Sequence, residues 1–336
     1  MKRYVIDREF GIDELKLEEA EIPQPGPGEV LVKIKAASLN YRDLLMVTGN
    51  YTRNLPFPLV PLSDGAGEIV SVGGGVTRWK EGDRVIGCFF QEWQAGRINS
   101  MVPKSALGGA GNGVLAEYAL FREGGVVPLP EQLTFEEGAT LPCAGVTAWN
   151  CLYKGGLTCG DTVLTMGTGG VSLFALQLAK AAGARVISTT GSVAKEERLR
   201  ELGASEVINY KKHPDWEKQV LQLTGGSGVD IVIEVGGAGT LLQSIKACRM
   251  GGQISLIGVL TGQRGEMNPF PAVMKGVSIH GVYVGSREMF EEMNRTIALH
   301  RIRPVIDRLF PFAEAREALH YLESGAHVGK VVIAMP

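Results

Sequence analysis

The order of apolar and polar positions divides the chain into two patterns, and the first fills about 120 residues with short, strand-like runs. Apolar positions alternate over 30–36, which is typical of a strand with one buried face. Proline and glycine turns at 23–28 and 73–75, and a glycine-rich loop at 99–113, separate such runs. The predicted strands are 30–36, 66–72, 82–87 and 115–121. This pattern predicts an all-β, barrel-like region.

The second pattern starts near residue 134 and alternates strands with helices. Thr134 and Glu137 have the spacing of a capping box, ahead of a helical segment at 144–153. The strands are apolar enough to be buried on both faces, so we expect a doubly wound parallel α/β sheet. Predicted strands are 162–166, 185–189, 206–209, 230–235, 253–257 and 277–282, and predicted helices are 171–182, 194–202, 215–223 and 240–248.

The end of the chain predicts a discontinuous first domain. Helical spacing returns at 288–299 and 313–322, and a last strand follows at 329–333. That strand comes after the doubly wound segment is complete, so it must pair within the N-terminal β region. The two domains would then be interleaved along the sequence.

Composition and charge narrow the class of partner. The 336 residues include 45 glycines, about twice the usual share of roughly 7%, which predicts many tight turns. A net charge of −2 provides no field to attract nucleic acid or an anionic membrane, so we expect a small-molecule substrate. Asp7 precedes any apolar core of a signal peptide, which predicts a cytoplasmic protein. The five cysteines have no Cys-x-x-Cys spacing, which argues against a zinc lobe and a disulfide framework.

A glycine-rich turn between the first strand and helix of the second pattern predicts dinucleotide binding. Gly167 would allow the tight turn, and Gly169 would let the backbone approach a pyrophosphate at the start of the helix. Ser172 stands at the third glycine position as a small residue for helix packing. A second strand follows at 185–189, as this motif requires.

The end of that second strand predicts a preference for NADPH, with NADH as the alternative. No acid stands where the ribose 2′-hydroxyl of NAD would be held; Thr190, Gly191 and Ser192 are followed by Lys195 and Arg198. Hydroxyls and cations suit a 2′-phosphate. In the alternative interpretation Ser192 only caps the next helix, and Lys195 and Arg198 form its solvated face.

Several motifs together resemble the medium-chain dehydrogenase/reductase superfamily, over essentially the whole chain. Within it the chain is similar to the zinc-free branch of quinone oxidoreductases and enoyl reductases. The matching segments are 25–32, 40–43, 67–70, 82–85, 137–142, 160–164 and 329–332. The resemblance implies a GroES-like β-barrel catalytic domain at 1–123, a Rossmann NADP-binding domain at 124–265 with its last strand near 277–283, and a return to the catalytic domain at 266–336.

The resemblance also implies that catalytic zinc is absent. The zinc branch has a cysteine near the position of Asn40 and Gly-His-Glu near 63–65, whereas this chain has Ser63-Asp64-Gly65 there. None of the five histidines falls where a zinc site could be assembled with a cysteine.

From the same relatives we carry over the residues that would surround the cofactor. Asn40 would lie beside the nicotinamide ribose, Thr147 beside the carboxamide and Tyr210 near the adenosine. Tyr210, Val259, Leu260 and Lys330 could equally be surface-covering, core or solvated residues. The full predicted set is Asn40, Thr147, Gly167, Thr168, Gly169, Gly170, Val171, Thr190, Gly191, Ser192, Lys195, Arg198, Tyr210, Gly258, Val259, Leu260, Tyr283, Val284 and Lys330.

The proton donor is left open by the sequence. Relatives often have a tyrosine five residues after the asparagine, but here that position is Leu45. The role falls to Tyr41, Asp43, Tyr51 or Ser63, or stays vacant. The predicted catalytic set is Asn40, Tyr41, Asp43 and Thr147.

Chemistry without zinc favours acceptors that delocalise their own charge, such as enones, enoyl thioesters and quinones. The first hypothesis is therefore an NADPH-dependent reductase of these compounds. The alternatives are a zinc-free alcohol dehydrogenase or ketone reductase, and an NADPH-binding sensor that has lost turnover.

An apolar edge strand at 277–283 predicts a homodimer, because pairing across a two-fold axis would cover it.

Overall fold

The secondary structure of the chain is known from a computed structural model that describes residues 1–258, 260–262 and 265–336. Within those ranges the chain forms fifteen strands and ten α-helices. The strands are β1 (Lys2–Val5), β2 (Lys16–Glu19), β3 (Glu29–Ser38), β4 (Asp64–Val72), β5 (Arg84–Gly87), β6 (Tyr118–Arg122), β7 (Val126–Pro128), β8 (Thr162–Met166), β9 (Arg185–Thr190), β10 (Glu206–Asn209), β11 (Val229–Glu234), β12 (Cys248–Leu256), β13 (Ser278–Gly281), β14 (Ile306–Pro311) and β15 (Lys330–Ala334). The helices are α1 (Tyr41–Val47), α2 (Phe135–Ala139), α3 (Val146–Lys154), α4 (Gly170–Ala181), α5 (Glu196–Glu201), α6 (Trp216–Leu223), α7 (Leu241–Ala247), α8 (Phe270–Lys275), α9 (Arg287–Leu299) and α10 (Ala315–Glu323).

Contacts between residues divide the chain into two compact units. Unit 1 is Met1–Val146 with Gly285–Pro336, and unit 2 is Thr147–Val284. The predicted boundaries after residues 123 and 265 therefore need correction. β7 pairs with β5 and α2 packs against β3 and β4, so the segment after residue 123 is held in unit 1. β13 pairs with β12, which holds the segment after residue 265 in unit 2.

Unit 1 is built on a seven-stranded sheet in the order β14-β15-β3-β4-β5-β7, with β6 paired to β3. β15 runs antiparallel to β3, with Val332 opposite Ser38, so the last strand of the chain completes the N-terminal sheet as predicted. Apolar side chains from β3, β15 and α10, including Ile34, Val331 and Leu319, form one buried core. The discontinuity of this unit is therefore fixed by backbone pairing and by side-chain burial.

Unit 2 is a parallel six-stranded sheet in the order β10-β9-β8-β11-β12-β13. Numbered within the unit, this is the order 3-2-1-4-5-6 of doubly wound dinucleotide-binding folds. All six predicted strands are present, and 162–166 and 206–209 agree at both ends. Strand interiors such as Leu164, Ile187 and Val232 are fully buried, which explains their continuous apolar runs.

The sequence pattern missed the elements that bury little or that depend on distant partners. β2 is a largely exposed Lys-Leu-Glu-Glu run and pairs only with β1, so it carries no strong alternation. β14 was not predicted, and its partner is β15. The predicted strand at 115–121 begins at Tyr118, because the residues before it bond to the N-terminal segment instead. Within the described ranges, no helix has the length and apolarity that a membrane crossing would demand.

Candidate active site

The phosphate-binding turn predicted from glycines lies at the carboxyl end of β8, the central strand of unit 2. Gly167 has a φ of +76°, a conformation that favours glycine, and Gly169 is the N-cap of α4. An added Cβ at either residue would meet no other atom within 4 Å, so both border open space. Ser172 donates from Oγ to the Met166 carbonyl at 2.6 Å, which ties α4 back to β8. The small residue at this position therefore serves the close helix–strand packing that was predicted.

The start of α4 can hold a pyrophosphate. The first amides of a helix have no intrahelical acceptor, and the dipole of a twelve-residue helix places partial positive charge at this end. β8 and β11 are neighbours in the sheet. The chain goes from β8 to β9 on one side of this pair and from β11 to β12 on the other side, so the strand order reverses between β8 and β11. Ligands of doubly wound sheets bind at this point, beyond the carboxyl ends of the strands. The residues present thus fit a dinucleotide.

A second loop at the same edge is held by a buried carboxylate, Glu234, at the end of β11. Its Oε1 accepts hydrogen bonds from the backbone N–H groups of Gly236 and Gly237, at 2.7 and 3.0 Å, and from Thr240 Oγ1 at 2.7 Å. Its Oε2 accepts from Ser244 Oγ. Glu234 is fully buried and was not predicted. A sequence signal existed, since an acid directly follows the apolar run 231–233 and stands two residues before a pair of glycines.

The predicted adenosine residues gather at the ends of β9 and β10. The backbone N–H of Tyr210 donates to the Thr190 carbonyl at 3.0 Å, and a Cβ on Gly191 would lie 2.5 Å from the Tyr210 hydroxyl. A side chain at residue 191 would therefore displace the Tyr210 ring. Ser192 precedes the short 3-10 turn that contains Lys195. Arg198 forms a surface ion pair with Glu201 at 2.8 Å.

The predicted nicotinamide residues of unit 2 follow the ends of β12 and β13. Gly258 lies against the Val235 carbonyl, at a distance that leaves no room for a Cβ. Leu260 and Tyr283 are exposed, whereas Val284 is buried with a φ of +52°, an unusual conformation for a β-branched residue. The amide of Asn150, which the sequence did not suggest, holds Val284 by donating to its carbonyl at 2.6 Å. Val259 lies outside the described residues.

Thr147 and the remaining turn residues also have defined positions in unit 2. Thr147 is buried in the first turn of α3. Thr168 is buried between Gly167 and Gly169, and Gly170 and Val171 open α4. The parallel sheet therefore brings the predicted residues that follow β8, β9, β10, β12 and β13 to one edge.

In unit 1, Asn40 forms the N-cap of α1 beside two charged residues. Its backbone N–H donates to Asp43 Oδ2 at 2.9 Å, and its side-chain oxygen accepts from Lys330 Nζ. Asp43 is fully buried and also accepts from Arg42 at 3.0 Å. Lys330 is 3% exposed and donates to the Leu39 carbonyl at 2.6 Å. The interpretation of Lys330 as a solvated strand residue is therefore wrong.

The candidate proton donors differ in how far their polar groups are already used. Tyr41 and Tyr51 are exposed, at 45% and 46%. Ser63 is buried and donates to Asp64 Oδ1 at 2.6 Å, so its proton serves a structural bond. Asp43 likewise has both carboxylate oxygens engaged within unit 1.

The positions that carry metal ligands in the zinc branch do not fit a zinc ion here. Asp64 is buried, with one oxygen bonded by Ser63 and the other by the Cys143 backbone N–H at 3.0 Å. Burial raises the pKa of Asp64, while the Lys330 charge opposes that rise. Among the described residues no group of three or more histidines, cysteines and acids could hold a metal.

Comparisons with known proteins agree with both units. Residues 26–131 match the alcohol dehydrogenase GroES-like domain, and residues 170–298 match a family described as zinc-binding dehydrogenase. A zinc-type alcohol dehydrogenase-like protein of Schizosaccharomyces pombe is 46% identical over 340 residues, which cover 98% of each chain. Rat quinone oxidoreductase is 32% identical, covering 97% of this chain and 96% of its own. The crystal structure of a putative alcohol dehydrogenase from Sinorhizobium meliloti superposes with a TM-score of 0.92 at 42% identity, covering 99% of this chain and 98% of its own.

Proposed function

Because the chain belongs to the medium-chain dehydrogenase/reductase superfamily and is an NAD(P)H-dependent oxidoreductase, we propose that it reduces activated double bonds or quinones with NADPH and without zinc. One observation carries this proposal. Asn40, Ser63 and Asp64 lie where the zinc branch has metal ligands, and their side chains instead form hydrogen bonds within the protein. The likeness to quinone oxidoreductase supports the acceptor class.

The chemistry follows from what these residues can and cannot stabilise. Bound NADPH supplies a hydride to the substrate. Without a Lewis acid, hydrogen bonds alone must stabilise the negative charge that builds on the acceptor oxygen. An enone, enoyl thioester or quinone spreads that charge over a conjugated system and so needs less stabilisation than a simple ketone. The protein's part is then to hold cofactor and acceptor in line and to exclude water.

The residues of unit 2 have distinct parts in holding the cofactor. The start of α4 would bind the pyrophosphate, and Glu234 would keep the neighbouring loop in one conformation. Tyr210 would cover the adenosine, and Thr147 would contact the carboxamide. The restricted space at Gly191 and Gly258 supports this arrangement, because Gly191 lies against the Tyr210 ring and Gly258 against the Val235 carbonyl.

NADPH oxidation with enones, quinones and saturated ketones, together with NADP+ reduction by alcohols, tests the acceptor class. We expect turnover with enones or quinones, and turnover confined to saturated ketones or alcohols would contradict the proposal. Bound zinc should be substoichiometric by elemental analysis, and a chelator should leave the rate unchanged. Loss of activity on chelation, with recovery on adding zinc, would overturn the zinc-free mechanism.

For the cofactor we propose that Ser192 and Lys195 recognise the 2′-phosphate, because they directly follow the carboxyl end of β9, where the adenosine ribose of a dinucleotide would lie. Lys195→Ala should weaken NADPH binding about tenfold, which corresponds to about 1.4 kcal/mol, and leave NADH unchanged. Lys218→Ala, an exposed lysine of the same unit, is the matched control and should change neither affinity. Tighter binding of NADH than NADPH by the unaltered protein would refute the preference.

A second candidate is a zinc-free alcohol dehydrogenase or ketone reductase, favoured by the alcohol dehydrogenase-like names of two of the relatives reported above. In the same panel it would oxidise secondary alcohols with NADP+ and leave quinones unreduced. Tight NADPH binding without turnover of any compound would instead indicate the sensor that the sequence suggested.

We also propose a homodimer formed through β13. This strand is the edge of the six-stranded sheet, as predicted, and Ile279 is partly buried within the single chain. An unpaired edge is covered economically by its own copy across a two-fold axis. Light scattering at micromolar concentration should give twice the chain mass, and a monomer mass would refute the dimer.

A further inference from the structure

The amide of Asn40 has its orientation fixed by Lys330. A lysine ammonium has three donors and no acceptor, so only the amide oxygen can face it. Lys330 Nζ donates to Asn40 Oδ1 and to the Leu39 carbonyl at 2.6 Å. The Nδ2 group of Asn40 must therefore point away from Lys330. The orientation follows from the chemistry of the pair.

Lys330 is itself held in place by the sheet of unit 1. It is the first residue of β15, and its backbone N–H donates to the Val305 carbonyl at 2.9 Å. The next residue, Val331, accepts from the Leu39 backbone N–H at 3.0 Å, so β15 lies directly beside the segment that leads into Asn40. The buried Asp64 carboxylate provides an opposite charge close enough to interact with Lys330. The ammonium is thus anchored by backbone pairing and balanced in charge.

The Nδ2 group of Asn40 has no hydrogen-bond partner among the described residues, although Asn40 is only 8% exposed. Buried donors without acceptors are rare in folded proteins because they lose the hydrogen bonds that water would make. The backbone N–H of Asn40 is already bonded to Asp43, and the amide oxygen to Lys330. Nδ2 is therefore the one donor of this residue that is left for an external acceptor.

We propose that Lys330 is a positioning residue that holds Asn40 Nδ2 as a hydrogen-bond donor to an uncharged oxygen of a bound molecule. That oxygen is a ribose hydroxyl of the cofactor or the carbonyl of the acceptor substrate, and this choice of ligands rests on the proposed function. Lys330 acts through the amide, which would otherwise be free to turn its oxygen toward the ligand.

Asn40→Asp tests the donor. The aspartate has the same shape and keeps an oxygen for Lys330, but it places a second oxygen where Nδ2 was. If the acceptor is the ribose, the NADPH Kd from fluorescence titration should rise about tenfold or more, with kcat at saturating cofactor nearly unchanged. If the acceptor is the substrate carbonyl, kcat/KM should fall about a hundredfold with the Kd unchanged. Asn54→Asp, an exposed asparagine of the same unit, is the control for added charge and should change neither.

A double-mutant cycle tests whether Lys330 acts through Asn40. Lys330→Met keeps most of the length of the side chain and removes its donors. In the wild-type background it should therefore raise the Kd, or lower kcat/KM, about tenfold, whichever parameter Asn40→Asp changes. In the Asn40→Ala background it should change that parameter less than about twofold. Removing the lysine alone leaves Asp64 without its countercharge, so the cycle is repeated with Lys330→Met/Asp64→Asn if Lys330→Met unfolds.

The outcomes separate this inference from the proposed function. Equal effects of Lys330→Met in both backgrounds would show a merely structural role and overturn the inference. So would an Asn40→Asp protein with the Kd and kcat/KM of the wild type. Failure of the wild type to reduce enones or quinones would refute the proposed function alone, because the NADPH Kd and any other substrate turned over still report on the donor.

Discussion

Replacement of Gly167 by alanine should separate cofactor binding from stability. Gly167 has a φ of +76°, and an L-residue pays about 1–2 kcal/mol there. Alanine recovers about 0.4–1 kcal/mol by restricting the unfolded chain. Because the new Cβ would contact nothing within 4 Å, no clash is added, and the net loss of unfolding free energy should be about 1 kcal/mol. The melting temperature should fall by about 2–4 °C.

The effect on binding should be larger than the effect on stability. The open space that receives the Cβ lies at the turn where the pyrophosphate is expected, and phosphate oxygens must approach these backbone amides closely. We expect the NADPH Kd of Gly167→Ala to rise at least about tenfold, or about 1.4 kcal/mol. Fluorescence titration measures the Kd, and thermal unfolding without cofactor measures the strain.

Gly156→Ala is the matched control for Gly167→Ala. Gly156 has a φ of +67° in the same unit, and its added Cβ also meets nothing within 4 Å, but it lies in the connection between α3 and β8. It should lose about the same 1 kcal/mol of stability and keep the wild-type Kd. Equal losses of affinity in the two variants, or wild-type affinity in Gly167→Ala, would refute the assignment of the phosphate site.

Three further substitutions test the packing and electrostatics. Glu234→Ala should lower the free energy of unfolding by about 3 kcal/mol or more, because four hydrogen bonds are lost. Glu234→Gln keeps an acceptor and should lose about half as much. Equal losses in the two variants would contradict this reasoning. Leu164→Ala should cost about 2–5 kcal/mol in urea unfolding, because the side chain is fully buried, and a loss below about 1 kcal/mol would not fit. The hydrogen bond that the His320 ring donates to the Asp13 carboxylate raises the pKa of His320. The pair therefore stabilises the fold below about pH 6.5, and this stabilisation fades as pH rises through the folded pKa. Asp13→Asn should therefore lower the free energy of unfolding near pH 5.5, by less than about 1 kcal/mol for so exposed a pair, and leave it unchanged near pH 8.5.

The doubly wound unit was predictable because its signals are local. Most strands of unit 2 have a short apolar centre, such as 163–164, 186–187 and 231–233, which is what burial on both faces requires, and turn residues separate the strands from the helices. The turn at Gly167 was readable for the same reason, since a positive φ and open space leave glycine as the favoured residue. The capping box of Thr134 and Glu137 was also correct, because all its atoms lie within one turn.

The limits of the two units were not predictable in the same way. The segment after residue 123 belongs to unit 1 because β7 pairs with β5, about forty residues earlier in the chain. β1 pairs with β2 and also forms a bridge from Arg3 to Ala116, and β2 is mostly exposed, so neither short strand carries a strong periodic signal. Such pairing depends on strands that are distant in sequence, and the local pattern does not encode it.

The sequence by itself determined the residue types available to each site and the order of the elements. It placed Asn40 beside a cofactor through resemblance, but the roles of Lys330 and Glu234 depend on the tertiary structure. Lys330 meets Asn40 across 290 residues of chain, through the pairing of β15 with β3. A lysine or glutamate in the sequence is usually a solvated charge. Only burial, and the partners that burial imposes, turn these two into groups that orient an amide and hold a loop.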